Sequence, residues 1–126
     1  KALGFSFDSV LDPSALIDPS VSLGEGAQVL ARAVLQNGAA LGDNVIINTG
    51  AIVDHDCRIG RDCHIAPGAV LSGGVSIGDS THIGTGATVV QGVHIGRNVT
   101  VGAGAVVVGD LPDGVVALGV PARIRT

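Results

Sequence analysis

The chain has no Trp, Tyr or Met, and its two aromatic rings, Phe5 and Phe7, stand at the very start. A core built without rings must be narrow and filled by aliphatic side chains. Cations are few, with seven Lys and Arg against eleven Asp and Glu and a net charge of −4, so the basic patch that a phosphate backbone requires is missing and no nucleic acid partner is expected. No apolar run approaches the roughly 18 residues that would span a bilayer, and no charged-then-apolar signal segment opens the chain, so no membrane association is expected. Only two cysteines are present, Cys57 and Cys63, and an unstapled chain with two thiols points to a reducing, cytoplasmic setting. The chain opens at Lys1 without an initiating Met, which reads as an excerpt of a longer protein.

What is abundant is aliphatic and small: 46% of residues are apolar and 20 are Gly. They are strictly ordered. Stepping by six from Leu11 gives Ile17, Leu23, Val29, Leu35, Leu41, Ile47, Val53, Ile59, Ile65, Leu71, Ile77, Ile83, Val89, Ile95, Val101 and Val107, without a miss. Four residues after each aliphatic the position is small, as at Ala27, Ala33, Cys57, Cys63, Ala69 and Thr81. Both columns must point inward, so Cys57 and Cys63 are filling atoms and not nucleophiles.

A third column, three residues after each aliphatic, is rich in Gly, Asn, Asp and Ser, with Arg32 as its exception. Such a column marks a corner that needs positive φ, which costs an ordinary residue about 1–2 kcal/mol. Each hexad is then a short strand and a tight turn, and a strand that short cannot bury its face alone. Stacking coils about 4.8 Å apart solves this. Leu23, Leu41, Ile59, Ile77 and Ile95 are each followed by Gly, and they lie 18 apart, so three hexads close one triangular coil. The expected fold class is all-β, a parallel β-helix of hexapeptide repeats with three sides per 18-residue coil, spanning residues 11–109.

The pattern [LIV]-[GAED]-x-x-[small]-x, together with the ending Gly119-Val120-Pro121-Ala122-Arg123, resembles the bacterial hexapeptide-repeat acyltransferases. Within them, the stretch from Asn48 to Cys57 followed by His64-Ile65-Ala66-Pro67-Gly68-Ala69 is similar to the sialic acid O-acetyltransferase and UDP-4-amino-sugar (bacillosamine, perosamine) N-acetyltransferase group. The resemblance implies a left-handed β-helix and a homotrimer with active sites at subunit interfaces. It also implies acetyl-CoA as co-substrate, no metal, and a small-molecule sugar acceptor. Members of the group usually begin with a small sugar-nucleotide domain. Residues 1–10 are similar to the linker and first strand leaving that domain, and residues 110–126 are expected to form a tail packed on the CoA groove.

Acetyl transfer needs a base, donors for an oxyanion, and two substrates held in line. His55, flanked by Asp54 and Asp56, is the candidate base, because a neighbouring carboxylate orients an imidazole and stabilises its protonated form. The resemblance assigns the supporting role to Asp56. Asp is one methylene shorter than the Glu more familiar there, so Asp54 stands as the alternative orienter. Gly73 lies 18 residues beyond His55, directly over it, where a bare N–H would face an acyl oxygen.

By resemblance His64 contacts the thioester, Thr85 and Ala103 line the CoA arm through backbone groups, and Gly119 and Pro121 shape the pantetheine channel. His55 and His64 are half a coil apart, on the order of 10–15 Å by strand spacing, so joint action requires two subunits. Asn37, one coil under His55, and Asn48 are weaker candidates for acceptor contact. His82 and His94 read as surface histidines.

Other uses of a β-helix fit less well. The histidines are 9, 18 and 12 apart, against the spacing of five typical of a γ-type carbonic anhydrase zinc site. The outward column Ile46, His64, His82 and Thr100 lacks the threonine rows of an ice-binding face. A non-catalytic trimeric scaffold and an acyltransferase with an acyl carrier protein donor remain as alternatives.

Overall fold

The computed structural model describes residues 8–125; of the linker and first strand expected at 1–10, residues 1–7, with Phe5 and Phe7, lie outside the described residues. The rest is a parallel β-solenoid without a helix. Three sheets run its length. The first contains Val10–Leu11, Gln28–Val29, Ile46–Ile47, His64–Ile65, His82–Ile83, Thr100–Val101 and Val116–Leu118, and ends on the antiparallel Arg123–Ile124. The second stacks Leu16–Ile17, Val34–Leu35, Ile52–Val53, Val70–Leu71, Thr88–Val89 and Val106–Val107. The third stacks Ser22–Leu23, Ala40–Leu41, Arg58–Ile59, Ser76–Ile77 and His94–Ile95.

Pairs such as His64 with His82 and Ile52 with Val70 lie 18 residues apart in register, so the 18-residue coil expected from the repeat is present. The inward columns are buried from Val29 and Ala33 through Val101, Ala105 and Val107. Neighbouring residues in a strand point to opposite faces, so the partner of each core aliphatic faces out. On the second sheet those outward residues are Leu16, Val34, Ile52, Val70, Thr88 and Val106, an almost wholly aliphatic face. Leu16 and Ile52 on it are exposed.

The corner column behaves as its composition demands. Gly26, Gly38, Gly50, Gly68, Gly74, Gly86, Gly92 and Gly104 have φ between 68° and 77°. Asn44, Asp56, Asp62, Ser80 and Asn98 share that conformation, and so does Arg32 at 59°. Ser14 and Ser20 do not. In both, the preceding Asp-Pro step makes an Asx turn instead, with Asp12 Oδ1 accepting from the Ser14 N–H at 2.8 Å and Asp18 Oδ1 from the Ser20 N–H at 2.9 Å. The glycines that follow Leu41 and Ile77 have a steric reason: a Cβ on Gly42 would lie 2.7 Å from Arg61 N, and one on Gly78 2.6 Å from Arg97 N.

The six-residue register stops after Val107, but the winding does not. Leu111 bridges to Ile95, and Val116 pairs with Thr100, steps of 16 in place of 18. Leu111 and Ala117 are buried and close the end of the core. Losing two residues at the preceding corner shifts the aliphatic column, which is why Asp113 and not an aliphatic stands six after Val107. The chain then turns through Gly119, a cis Val120–Pro121 peptide and Ala122, and Arg123–Ile124 folds back on Ala117 and Leu118.

Candidate active site

The corner between the second and third sheets stacks, coil upon coil, Asn37-Gly38, His55-Asp56, Gly73-Gly74 and Gln91-Gly92. Backbone bonds tie the steps together: the Asp56 N–H donates to Asn37 O at 3.0 Å, Gly74 N–H to His55 O at 2.9 Å, and Gly92 N–H to Gly73 O at 3.0 Å. The two acids beside His55 divide their work. Asp54 Oδ1 accepts the His55 backbone N–H at 2.7 Å, and Asp56 Oδ2 lies 3.2 Å from imidazole Nδ1. The carboxylate in contact with the ring is therefore that of Asp56, despite its short arm. Its φ of 59° swings the side chain back toward its neighbour, and the missing side chain of Gly38 below leaves room for Oδ1.

With Nδ1 engaged by a carboxylate, Nδ1 carries the proton and Nε2 presents its lone pair, the tautomer a general base needs. Nε2 and Cε1 lie over Gly73, where a Cβ would come within 2.5 Å of Cε1. Gly73 is buried under the ring, and among the described residues its N–H has no acceptor. Thr85 and Ala103 present N–H groups in the same state at the corner between the first and second sheets. In some other coils that position is capped, as at Thr49, whose N–H donates to Asn48 Oδ1 at 2.7 Å.

His64 sits on the outer side of the first sheet, across the prism from the His55 corner, so one chain does not bring the two rings together. Its environment is specific. Asn48 Nδ2 lies 3.1 Å from His64 Nε2, and because Asn48 Oδ1 is held by the Thr49 N–H, the atom facing the ring is the amide nitrogen. An amide nitrogen only donates, so Nε2 accepts and the proton of the neutral ring is on Nδ1. Burial, and then the His82 ring, hold the His64 pKa below the usual imidazole range. The tie between Asn48 and His64 has no signature in the sequence, where the two stand 16 residues apart.

Both thiols are buried. Cys57 Sγ donates to Ser72 O at 3.2 Å and Cys63 Sγ to Gly78 O at 3.0 Å, and burial pushes both thiol pKa values up, which suits filling atoms and not nucleophiles. Gly119 and Pro121 are exposed at the turn after Val116–Leu118, beside the corner that carries Thr85 and Ala103. Asn37 is exposed below His55. His94 is exposed on the third sheet, away from both histidines. Two shallow depressions, one lined by Leu16, Val34 and Gln36 and another by Ala40, Arg58 and Ser76, hold neither His55 nor His64. Among the described residues no three His, Cys, Asp or Glu side chains converge as metal ligands would, and no helix is long and apolar enough to cross a membrane.

The family described as bacterial transferase hexapeptide (six repeats) matches residues 38–73 and 74–109, and that described as hexapeptide repeat of succinyl-transferase matches residues 20–55. No curated protein matches. Among solved structures, the acetyltransferase domain of PglB from Neisseria gonorrhoeae in complex with acetyl coenzyme A is 48% identical with a TM-score of 0.96, over 98% of this chain and 60% of that one. A histidine-to-alanine variant of GDP-perosamine N-acetyltransferase from Caulobacter crescentus, in complex with CoA and GDP-perosamine, is 52% identical with a TM-score of 0.96, over 98% and 59%. WeeI from Acinetobacter baumannii is 34% identical with a TM-score of 0.79, over 93% and 57%. The chain thus spans about 60% of the length of the PglB and perosamine N-acetyltransferase chains it matches.

Proposed function

Since the chain belongs to the bacterial hexapeptide-repeat transferase family, we propose that it is the acetyl-CoA-using part of a sugar acetyltransferase, acting on the amino group of a nucleotide-activated amino sugar or on a sialic acid-type hydroxyl. The observation that carries this reading is the His55 corner: a ring with Asp56 on Nδ1 and its other edge over the bare amide of Gly73. The amino-sugar acceptor is favoured by the CoA and GDP-perosamine complex of a relative 52% identical, whose chosen variant replaces a histidine.

In the proposed reaction His55 Nε2 takes a proton from the acceptor nitrogen as that nitrogen bonds to the thioester carbonyl carbon. The tetrahedral oxyanion is met by the Gly73 N–H, and collapse breaks the carbon–sulfur bond. The proton held on Nε2 passes to the departing CoA thiolate. Asp56 stabilises the imidazolium in between. No covalent acyl-enzyme is involved, in keeping with the burial of both thiols. Thr85, Ala103, Gly119 and Pro121 are proposed to line the CoA arm, His64 to donate to the thioester carbonyl, and Asn37, Asn48 and Asp54 to edge the acceptor side.

The solenoid is proposed to be left-handed and the working unit a homotrimer, in the cytoplasm. Two features favour the trimer: the aliphatic outer face of the second sheet, and the separation of His55 from His64, which a neighbouring subunit would close. His55→Ala tests the reading. Turnover of acetyl-CoA with amino-sugar nucleotides should be abolished while sedimentation and melting stay as in the parent. Near-normal turnover would remove His55 from the mechanism, and a parent protein inert toward every such acceptor would remove the activity.

A further inference from the structure

His82 stands one coil above His64 in the outward column of the first sheet, and the two rings meet edge to face with centroids 4.9 Å apart. On the other side of His64 is Ile46, and at the end of its strand is Asn48. The imidazole is therefore held on three sides, by an aliphatic wall, a second ring and one hydrogen bond to Nε2. We propose that His82 is a positioning residue, whose ring fixes His64 in the neutral form that carries its proton on Nδ1, so that this N–H is presented to the acyl carbonyl oxygen of the donor. The inference rests on the reading of His64 as a thioester contact.

Three physical steps support it. A half-turn of the ring about its last torsion would put Cε1 in place of Nε2 against Asn48 and lose the bond; a neighbour packed edge-on resists that turn. Protonation of His64 at Nε2 would set N–H against N–H, because Asn48 Oδ1 is already held by Thr49. Finally, a charge on His82 opposes a second charge a ring-width away, and His82 is the titratable group that faces His64 from the adjoining strands. A donor kept neutral stays in one tautomer across the range in which the His55 base must also be neutral.

The test is nitrogen-15 spectroscopy of the histidine rings in the full chain, with His82→Ala and His82→Phe compared with the parent. In the parent, His64 should show a protonated Nδ1 and an unprotonated Nε2. In His82→Ala the His64 inflection should move to higher pH and the tautomer signals should average. In His82→Phe, which keeps a flat ring without charge, the tautomer should persist while the inflection still rises. The Michaelis constant for acetyl-CoA should rise about three- to tenfold in the alanine variant, the effect of loosening one hydrogen-bond donor, with kcat changed far less. Identical His64 titration and tautomer in all three proteins would overturn the inference. The spectra need no acetyl transfer, so an inactive parent would sink the proposed activity without touching this result.

Discussion

Gly73 lies directly against the imidazole of His55, so closely that a methyl group on Gly73 would coincide with the ring edge. The φ of Gly73 is outside the left-handed region, so alanine is conformationally acceptable there and the ring is the nearest obstacle. Gly73→Ala should therefore displace His55 and lower kcat by about 100-fold, the usual result of misplacing a reacting group by an ångström. Thermal unfolding should change little. Full activity in this variant would mean that the ring works from another position.

Asp56 offers a way to separate charge from backbone shape. Its side chain and that of His55 are 68% and 49% exposed, so the ion pair adds little to stability in the free protein. Asp56→Asn keeps a residue that tolerates φ near 59° and should lower kcat by about three- to tenfold, measured at saturating acetyl-CoA. Asp56→Ala should lose that and also about 1 kcal/mol of stability in urea, because an alanine gains nothing locally from the left-handed conformation. Equal stability of the two variants would contradict the assignment of strain.

Thr81 occupies the inward small column and is buried, yet it is polar. Its hydroxyl donates to Gly96 O at 2.8 Å and accepts from the Val99 N–H at 3.2 Å. The shape-conserving Thr81→Val should cost about 1–3 kcal/mol, because a buried carbonyl and amide both lose their partner. Thr81→Cys should cost less, since Cys57 and Cys63 already make the same bond to a carbonyl one coil on. Urea unfolding of both variants decides the order.

The depressed pKa of His64 has a consequence for stability. In the unfolded chain this ring titrates near 6.5, and in the folded chain lower, so the unfolded state binds more protons between those points. The folded state is then favoured above pH 6.5 and loses that advantage as acidity carries the solution down through the folded value. Unfolding midpoints in urea should fall from pH 7.5 to pH 5, and His64→Gln should flatten part of that slope. An unchanged slope in the glutamine variant would place the acid sensitivity elsewhere.

The core was legible in the sequence because every coil repeats one environment. Ile65, Leu71 and Ile77 face the same axis as Leu35, Leu41 and Ile47, so periodicity alone identifies them. Arg32 was the apparent exception at the corners, and it takes the shared conformation all the same, with its N–H donating to Ser14 Oγ at 2.9 Å. The shortened last coil was hidden, since Leu111 and Ala117, though buried and six apart, stand out of phase with the series that runs from Leu11 to Val107.

At the candidate site, spacing located His55 over the coil of Asn37 and under that of Gly73, and placed His82 on His64, because vertical neighbours in a solenoid are fixed by the 18-residue period. Which acid touches the His55 ring, which atom of Asn48 faces His64, and the edge-on meeting of His64 with His82 were decided only by the tertiary structure. Backbone placement here is a matter of counting, because each rung hydrogen-bonds to the next in one register. Side-chain rotamers answer to local φ, to neighbours that lack a Cβ, and to which donors are already taken, and those constraints exist only once the coils are stacked.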